Sequence, residues 1–282
     1  MKNRLRAGRV PAIRQLVAVV VTLLFLLPLF WIIVTALREV GAPPPTGVEW
    51  FPAEPQWGNF ASAIDVVPNF GRFFLNSTLT VAIAVPLTLL TSSIAGFALS
   101  QIPQSDRNWI IPASVALLIV PAASVWIFRF QLLQSIGLLD TRWALIVPAI
   151  GASSPLYVLL YYWTFQRLPT GIVEAARLDG ANPWVIWWRL AMPLARPTTA
   201  AVSILSFTLY WSDFVSPVLY IFRTELYTMP IWVQLLKQHG VTNWPLLMAG
   251  SVVMTAPVII IFLLLQRGFL SQKSIAGLVD RN

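Results

Sequence analysis

The sequence predicts an all-α, polytopic membrane protein with six membrane-crossing helices. Three observations carry this. Of 282 residues, 57% are hydrophobic and only 11% charged, more apolar surface than one or two water-soluble domains can hide. Six apolar runs are each long enough to cross a hydrocarbon core, which takes about 20 residues of helix. The Lys and Arg residues stand at the ends of those runs and form no basic stripe interleaved with aromatics.

The first run, residues 16–37, follows Lys2, Arg4, Arg6, Arg9 and Arg14. A cleavable signal peptide has an apolar region of about 7 to 15 residues and a small-x-small site. This run is longer and ends in Thr35, Ala36, Leu37 and Arg38, so it reads as an uncleaved anchor with its amino terminus in the cytoplasm. The next segment carries Pro43, Pro44, Pro45, Pro52 and Pro55 with Trp50 and Trp57, which predicts an extended loop pinned by aromatics. The remaining runs are residues 73–99, 109–128, 143–165, 198–222 and 244–265. Between the last two, a short helix is predicted over residues 230–238. Pro28, Pro86, Pro121, Pro148 and Pro257 lie inside runs, where a missing backbone donor bends a helix and neighbours must cover the freed carbonyl. Such kinks suit a bundle that rocks, and equally one that is merely well packed.

With both termini inside, thirteen of the 19 Lys and Arg residues fall on the inner side, as the positive-inside bias requires. Orientation thus accounts for the net charge of +8 without nucleic acid. The same topology places residues 169–197 in the cytoplasm. Three regions follow: 1–72, with the amino terminus, first crossing and outer loop; 73–267, the transmembrane core with its cytoplasmic loop; and 268–282, a cytoplasmic tail.

Several function classes are excluded. Cysteine is absent and His239 is the single histidine, so neither thiolate chemistry nor an all-protein zinc site is available. A Walker loop needs Gly immediately before Lys, but Lys2, Lys237 and Lys273 follow Met, Leu and Gln. Any ATP and Mg must be bound by another polypeptide. No nucleophile and base pair is visible, which argues against an enzyme. A self-sufficient secondary transporter is the alternative, but it would need ionisable coupling groups at the midplane and usually an internal repeat.

The loop between the fourth and fifth runs is the most informative segment. Pro169, Thr170 and Gly171 open a short helix that runs through Arg177. Gly180 permits the positive backbone angle that ends it. Asn182 followed by Pro183 reads as an N-cap with Pro at the first helical position, opening a second helix through Leu190. That helix carries Trp184, Ile186, Trp187 and Trp188, expected partly at the membrane boundary and partly against the protein's own helices. The small Ala175 and Ala176 let the first helix sit deep in a cleft, and Glu174 offers a carboxylate to a partner arginine.

Glu174, Ala175 and Ala176, with Gly180 six residues and Pro193 nineteen residues after the Glu, resemble the cytoplasmic E-A-A loop of integral-membrane subunits of bacterial ABC importers. Asp179, Gly180, Ala181, Trp184 and the segment from Pro193 to Pro197 resemble the version in carbohydrate-importer permeases, typified by the second maltose permease subunit. Leu190 stands where Ile is usual and Met192 where Leu is usual, both apolar exchanges of similar volume. Asn59, Phe60, Asn69, Asn76 and Ser77 resemble the same family, as does the tail FLSQKSIAGLVD, although Leu278 replaces a residue more often Ala. The loop at residues 101–108 departs from it by lacking a strongly basic run.

The resemblance implies a permease subunit in a bacterial cytoplasmic membrane that pairs with a second permease subunit. It implies docking on a cytoplasmic ATPase dimer through Glu174, Ala175, Ala176, Asp179, Gly180 and Pro193, and cargo delivered by an extracytoplasmic solute-binding protein. By family alone the cargo is a sugar or sugar-like solute. Tyr210, Trp211 and Asp213 are candidates for its path, because aromatic faces and carboxylates bind sugars and an ionisable group at membrane depth is costly. The rival role for Asp213 is an ion pair with Arg129 or Arg223. Arg129 itself is expected to snorkel to the outer surface.

Overall fold

The computed structural model describes residues 12–47, 50–239 and 243–270, and among these every regular element is helical. They form α1 (Ala12–Ala36), α2 (Gly58–Val66), α3 (Phe70–Gln101), α4 (Gln104–Leu117), α5 (Ala123–Ser135), α6 (Trp143–Ile146), α7 (Pro155–Phe165), α8 (Thr170–Leu178), α9 (Pro183–Val185), α10 (Met192–Leu194), α11 (Arg196–Trp211), α12 (Val215–Tyr220), α13 (Met229–His239) and α14 (Trp244–Leu270). Apart from its first two residues at the end of α14, the tail resemblance falls on residues outside those described. Two compact units are present: one holds the residues up to Pro68 together with Val233–Met254, the other Asn69–Trp232 and the residues from Thr255 on. The short outer helix expected over residues 230–238 is α13, one residue longer at each end.

Three described helices are long and apolar enough to cross a membrane, Ile13–Ala36, Phe70–Gln101 and Trp244–Gln266. They match the first, second and sixth runs. The other three runs, expected as single helices, are each divided, and each division has a local cause.

Between α4 and α5 stands Pro121, which has no N–H to donate. The end of α4 tightens ahead of it, with Leu118 N donating to Val115 O (3.0 Å) and Ile119 N to Ala116 O (3.0 Å). Between α6 and α7, after a 3₁₀ turn over Val147–Ala149, Ala152 and Ser153 adopt φ of 63° and 60°, a left-handed conformation costing about 1–2 kcal/mol per non-glycine residue. Ser154 then caps α7 with Pro155 at its first position. Between α11 and α12, Asp213 Oδ1 accepts from Ser216 N (3.1 Å) and opens the next helix.

Buried irregular backbone persists only where its polar groups find partners. At the α6–α7 break those partners are visible. Thr91 Oγ1 donates to Ala149 O (2.8 Å), and the Ser153 hydroxyl lies 2.6 Å from Thr88 Oγ1 and 2.8 Å from the Tyr210 hydroxyl. Three segments of the second unit are thereby tied at one buried point.

α3 and α7 form the tightest crossing. A Cβ on Gly96 would meet Val158 O at 2.8 Å and Tyr162 N at 2.9 Å. Ser92, Gly96 and Ser100 stand four residues apart on α3, the small-xxx-small spacing that lets helix backbones approach. Phe97 meets Phe165 edge-on (centroids 5.6 Å, 88°), and these rings with Tyr157, Tyr161 and Val202 make the core beneath the loop of residues 169–197.

Of the residues that resemble the permease family, Asn59, Asn76 and Ser77 each close a backbone gap. In the first unit, Asn59 Nδ2 donates to the carbonyls of Ala36 and Arg38 (both 2.8 Å), satisfying the end of α1. In the second, Asn76 Nδ2 donates to Glu225 O (2.8 Å) and Tyr227 O (2.9 Å), and Ser77 Oγ accepts from Met229 N (2.9 Å). The loop before α13 is thus pinned to α3.

Candidate functional site

The loop of residues 169–197 folds as helix, bend, helix. α8 ends with three backbone bonds: Asp179 N to Ala175 O (3.0 Å), Gly180 N to Arg177 O (3.0 Å) and Ala181 N to Ala176 O (2.9 Å). The last two make a Schellman closure, whose C′ residue must be left-handed. Gly180 supplies this with φ 80°. Two residues later Asn182 Oδ1 accepts from Val185 N (2.9 Å), and Pro183 fills the first helical position. A side-chain cap of this kind is worth about 1 kcal/mol.

The second helix runs further than its expected end at Leu190. α9 continues through a π-helical turn, Ile186–Ala191, into α10. Ile186, Trp187 and Ala191 are buried and join Phe97, Tyr161 and Phe165 in the core. Trp184 and Trp188, in contrast, are 62% and 64% exposed. The part expected against the protein's own helices is thus Ile186 and Trp187, and Trp184 and Trp188 are left at the surface.

This anchoring leaves one face of α8 free. Val173 and Ala176 pack on the core, and Arg177 Nη2 donates to Gln101 Oε1 (2.6 Å), tying α8 to the end of α3. Glu174 and Ala175 are exposed, as are Asp179 and Gly180, and Glu174 also borders a polar cleft with Arg107 and Arg177. Five of the six residues expected to dock, Glu174, Ala175, Ala176, Asp179 and Gly180, thus share one helix and its bend, with Ala176 on the inward side. Pro193 is exposed in α10, beside Trp188 and Arg196, a separate part of the loop. Sequence reasoning missed Leu178, which is 90% exposed. Its signal was an apolar side chain three and four residues from Ala175 and Glu174, off the inward face.

The three residues proposed for a solute path each make different contacts. Tyr210 is buried and its hydroxyl joins Ser153. Trp211 stacks on Phe207 (5.6 Å, 11°), meets Phe74 edge-on, and lines an apolar groove of about 520 Å³ with Pro86 and Pro257. Asp213 caps α12, and Arg223 is committed to Asp140 (2.9 Å). Among the described residues no cluster of His, Asp and Glu is placed to hold a metal ion.

Over residues 89–271 the sequence matches the family described as "Binding-protein-dependent transport system inner membrane component". The arabinooligosaccharides transport system permease protein AraQ of Halalkalibacterium halodurans is 31% identical over 74% of this chain and 74% of its own length. The sulfoquinovosyl glycerol transport system permease protein SmoH of Agrobacterium fabrum is 27% identical over 90% of this chain and 88% of its own. Among solved structures, a chain of a bacterial ABC transporter involved in the import of the acidic polysaccharide alginate superposes with a TM-score of 0.71 at 21% identity, covering 95% of this chain and 99% of that one, which shows a shared fold. The chain therefore belongs to the binding-protein-dependent transport system inner membrane components, the permease subunits of ABC importers.

Proposed function

We propose that this permease carries a sugar or sugar-like solute, forms half of the translocation pathway with a second permease subunit, and couples through α8 to a cytoplasmic ATPase dimer that binds ATP and Mg. An extracytoplasmic binding protein delivers the solute, and both termini lie in the cytoplasm. All six apolar runs cross the membrane, three as continuous helices and three as divided ones.

One observation carries the coupling role. α8 is fixed at its base by core packing and the Arg177–Gln101 bond, while a carboxylate, a small side chain and a leucine remain exposed along it at Glu174, Ala175 and Leu178. A short helix so held transmits displacement instead of absorbing it. The carbohydrate names of the relatives support the cargo class.

Because the chain has no cysteine, Ala175→Cys introduces a unique thiol. Crosslinking from it is expected to capture the ATPase, and capture of none removes the docking role. In reconstituted vesicles, Glu174→Lys and Gly180→Pro should leave the subunit in the membrane yet separate ATP hydrolysis from uptake. Wild-type uptake by both would refute the coupling role.

A further inference from the structure

We propose that the polar cleft at the base of α8 binds the phosphate group of an anionic phospholipid. The cleft has a volume of about 310 Å³, and Ser100, Arg107, Gln166, Glu174 and Arg177 line it. Its chemistry differs from the apolar grooves along the long helices.

Arg107 is the anomaly. It is partly buried in the first turns of α4, whereas its neighbours Asp106, Asn108 and Trp109 are exposed. Its Nε is sealed from solvent and has no hydrogen-bond partner. A guanidinium cannot shed its proton, and a buried donor left unmatched is costly. Arg177 gives one Nη to the neutral amide oxygen of Gln101, and among the described residues neither arginine forms an ion pair with Glu174. Two guanidiniums therefore face the cleft against one carboxylate. A phosphate presents acceptors on several sides and matches the planar donor forks of arginine.

The depth of the cleft favours a lipid as the source. Trp109, two residues from Arg107, is 67% exposed. Trp184, 62% exposed, lines the adjoining groove with Gln101 and Arg177. Exposed indoles mark the headgroup level of a bilayer, and basic pockets between helices at that level hold anionic headgroups.

The test uses the whole transporter, purified through this chain from nanodiscs that contain phosphatidylcholine with or without phosphatidylglycerol. Discs expose both leaflets, so the side assigned to α8 does not matter, and the readout is independent of ATPase coupling. Native mass spectrometry should find phosphatidylglycerol retained by the wild type and about tenfold less retained by Arg107→Gln, as expected for loss of a charge-assisted hydrogen bond. Arg177→Gln should show the same direction. Phosphatidylcholine adducts should not change. Equal retention of phosphatidylglycerol by all three proteins would overturn the proposal. Full displacement of the lipid by inorganic phosphate would instead assign the cleft to a free anion. A photoreactive residue at position 107 that captures the ATPase and no lipid would assign it to a protein contact. Either result refutes the lipid.

Discussion

Gly96 and Tyr161 are so close that a Cβ added to the glycine would lie 2.6 Å from the tyrosine Cβ. Backbone atoms of α7 crowd the same point, so no rotamer change can relieve it. Gly96→Ala should therefore push α3 from α7 and destabilise the subunit by about 1–3 kcal/mol, the usual cost of overpacking. Thermal unfolding in detergent would measure this. Gly71→Ala, where the added atom meets nothing within 4 Å, should leave the midpoint unchanged.

The bend after α8 should be equally intolerant of a side chain, for a backbone reason. Gly180 sits at φ 80° with open space around it, so Gly180→Ala clashes with nothing but strains its own backbone by about 1–2 kcal/mol. Uptake per assembled complex should fall, whereas Gly171→Ala in the same helix, without that φ, should not change it. A normal rate for Gly180→Ala would mean that the closure of α8 is dispensable.

Leu178 should contribute most of the apolar contact made by α8. Its burial against a partner would be worth about 1.5–3 kcal/mol. Leu178→Asp is predicted to weaken copurification of the ATPase at least tenfold, by the ordinary conversion of such energies, without lowering the subunit's own thermal stability. Unaltered copurification would place the docking surface elsewhere.

Asp213 offers a test between cap and solute path. Asn keeps the side-chain oxygen that accepts from Ser216 N, and Ala does not. A capping role predicts wild-type uptake for Asp213→Asn and a loss of about 1 kcal/mol of stability for Asp213→Ala. A path role predicts weaker solute affinity in both variants, read from the concentration dependence of uptake.

Asp140 should confer a pH dependence confined to acid. The backbone N–H of Arg223 and that of Phe222 donate to its carboxylate, with the Arg223 charge beside them, and hold its pKa below the ordinary 3.8 despite some desolvation. A lowered folded-state pKa means stabilisation complete above 3.8 and lost as pH falls through the native value. Unfolding midpoints recorded from neutral pH down to strong acid should show that loss in the wild type and a smaller one in Asp140→Asn.

The six apolar runs, the proline positions and the helix-bend-helix loop were legible because each depends on local rules: burial length, a missing N–H, a cap, a glycine angle. The division of the fourth run was not. Ala and Ser are poor left-handed residues, and tertiary contacts from Thr88 and Tyr210 to Ser153 and from Thr91 to Ala149 hold that segment open. The π turn was hidden for a similar reason, since residues 186–191 have the composition of an ordinary helix and their register follows from burying Trp187. Gly96 carried a readable signal in its spacing from Ser92 and Ser100 that composition alone obscured. Tyr210 and Trp211 are neighbours in the chain, and because consecutive helical positions diverge by about 100°, their different contacts could not be read from their order.

That divergence gives the π turn its importance. One surplus residue between Ile186 and Ala191 acts as a phase shifter: it lets the indole of Trp187 turn inward while α11 keeps the azimuth that brings Tyr210 to Ser153. Excising a single residue there would swing everything upstream by about 100° relative to everything downstream, so this stretch should accept substitutions far more readily than changes in length.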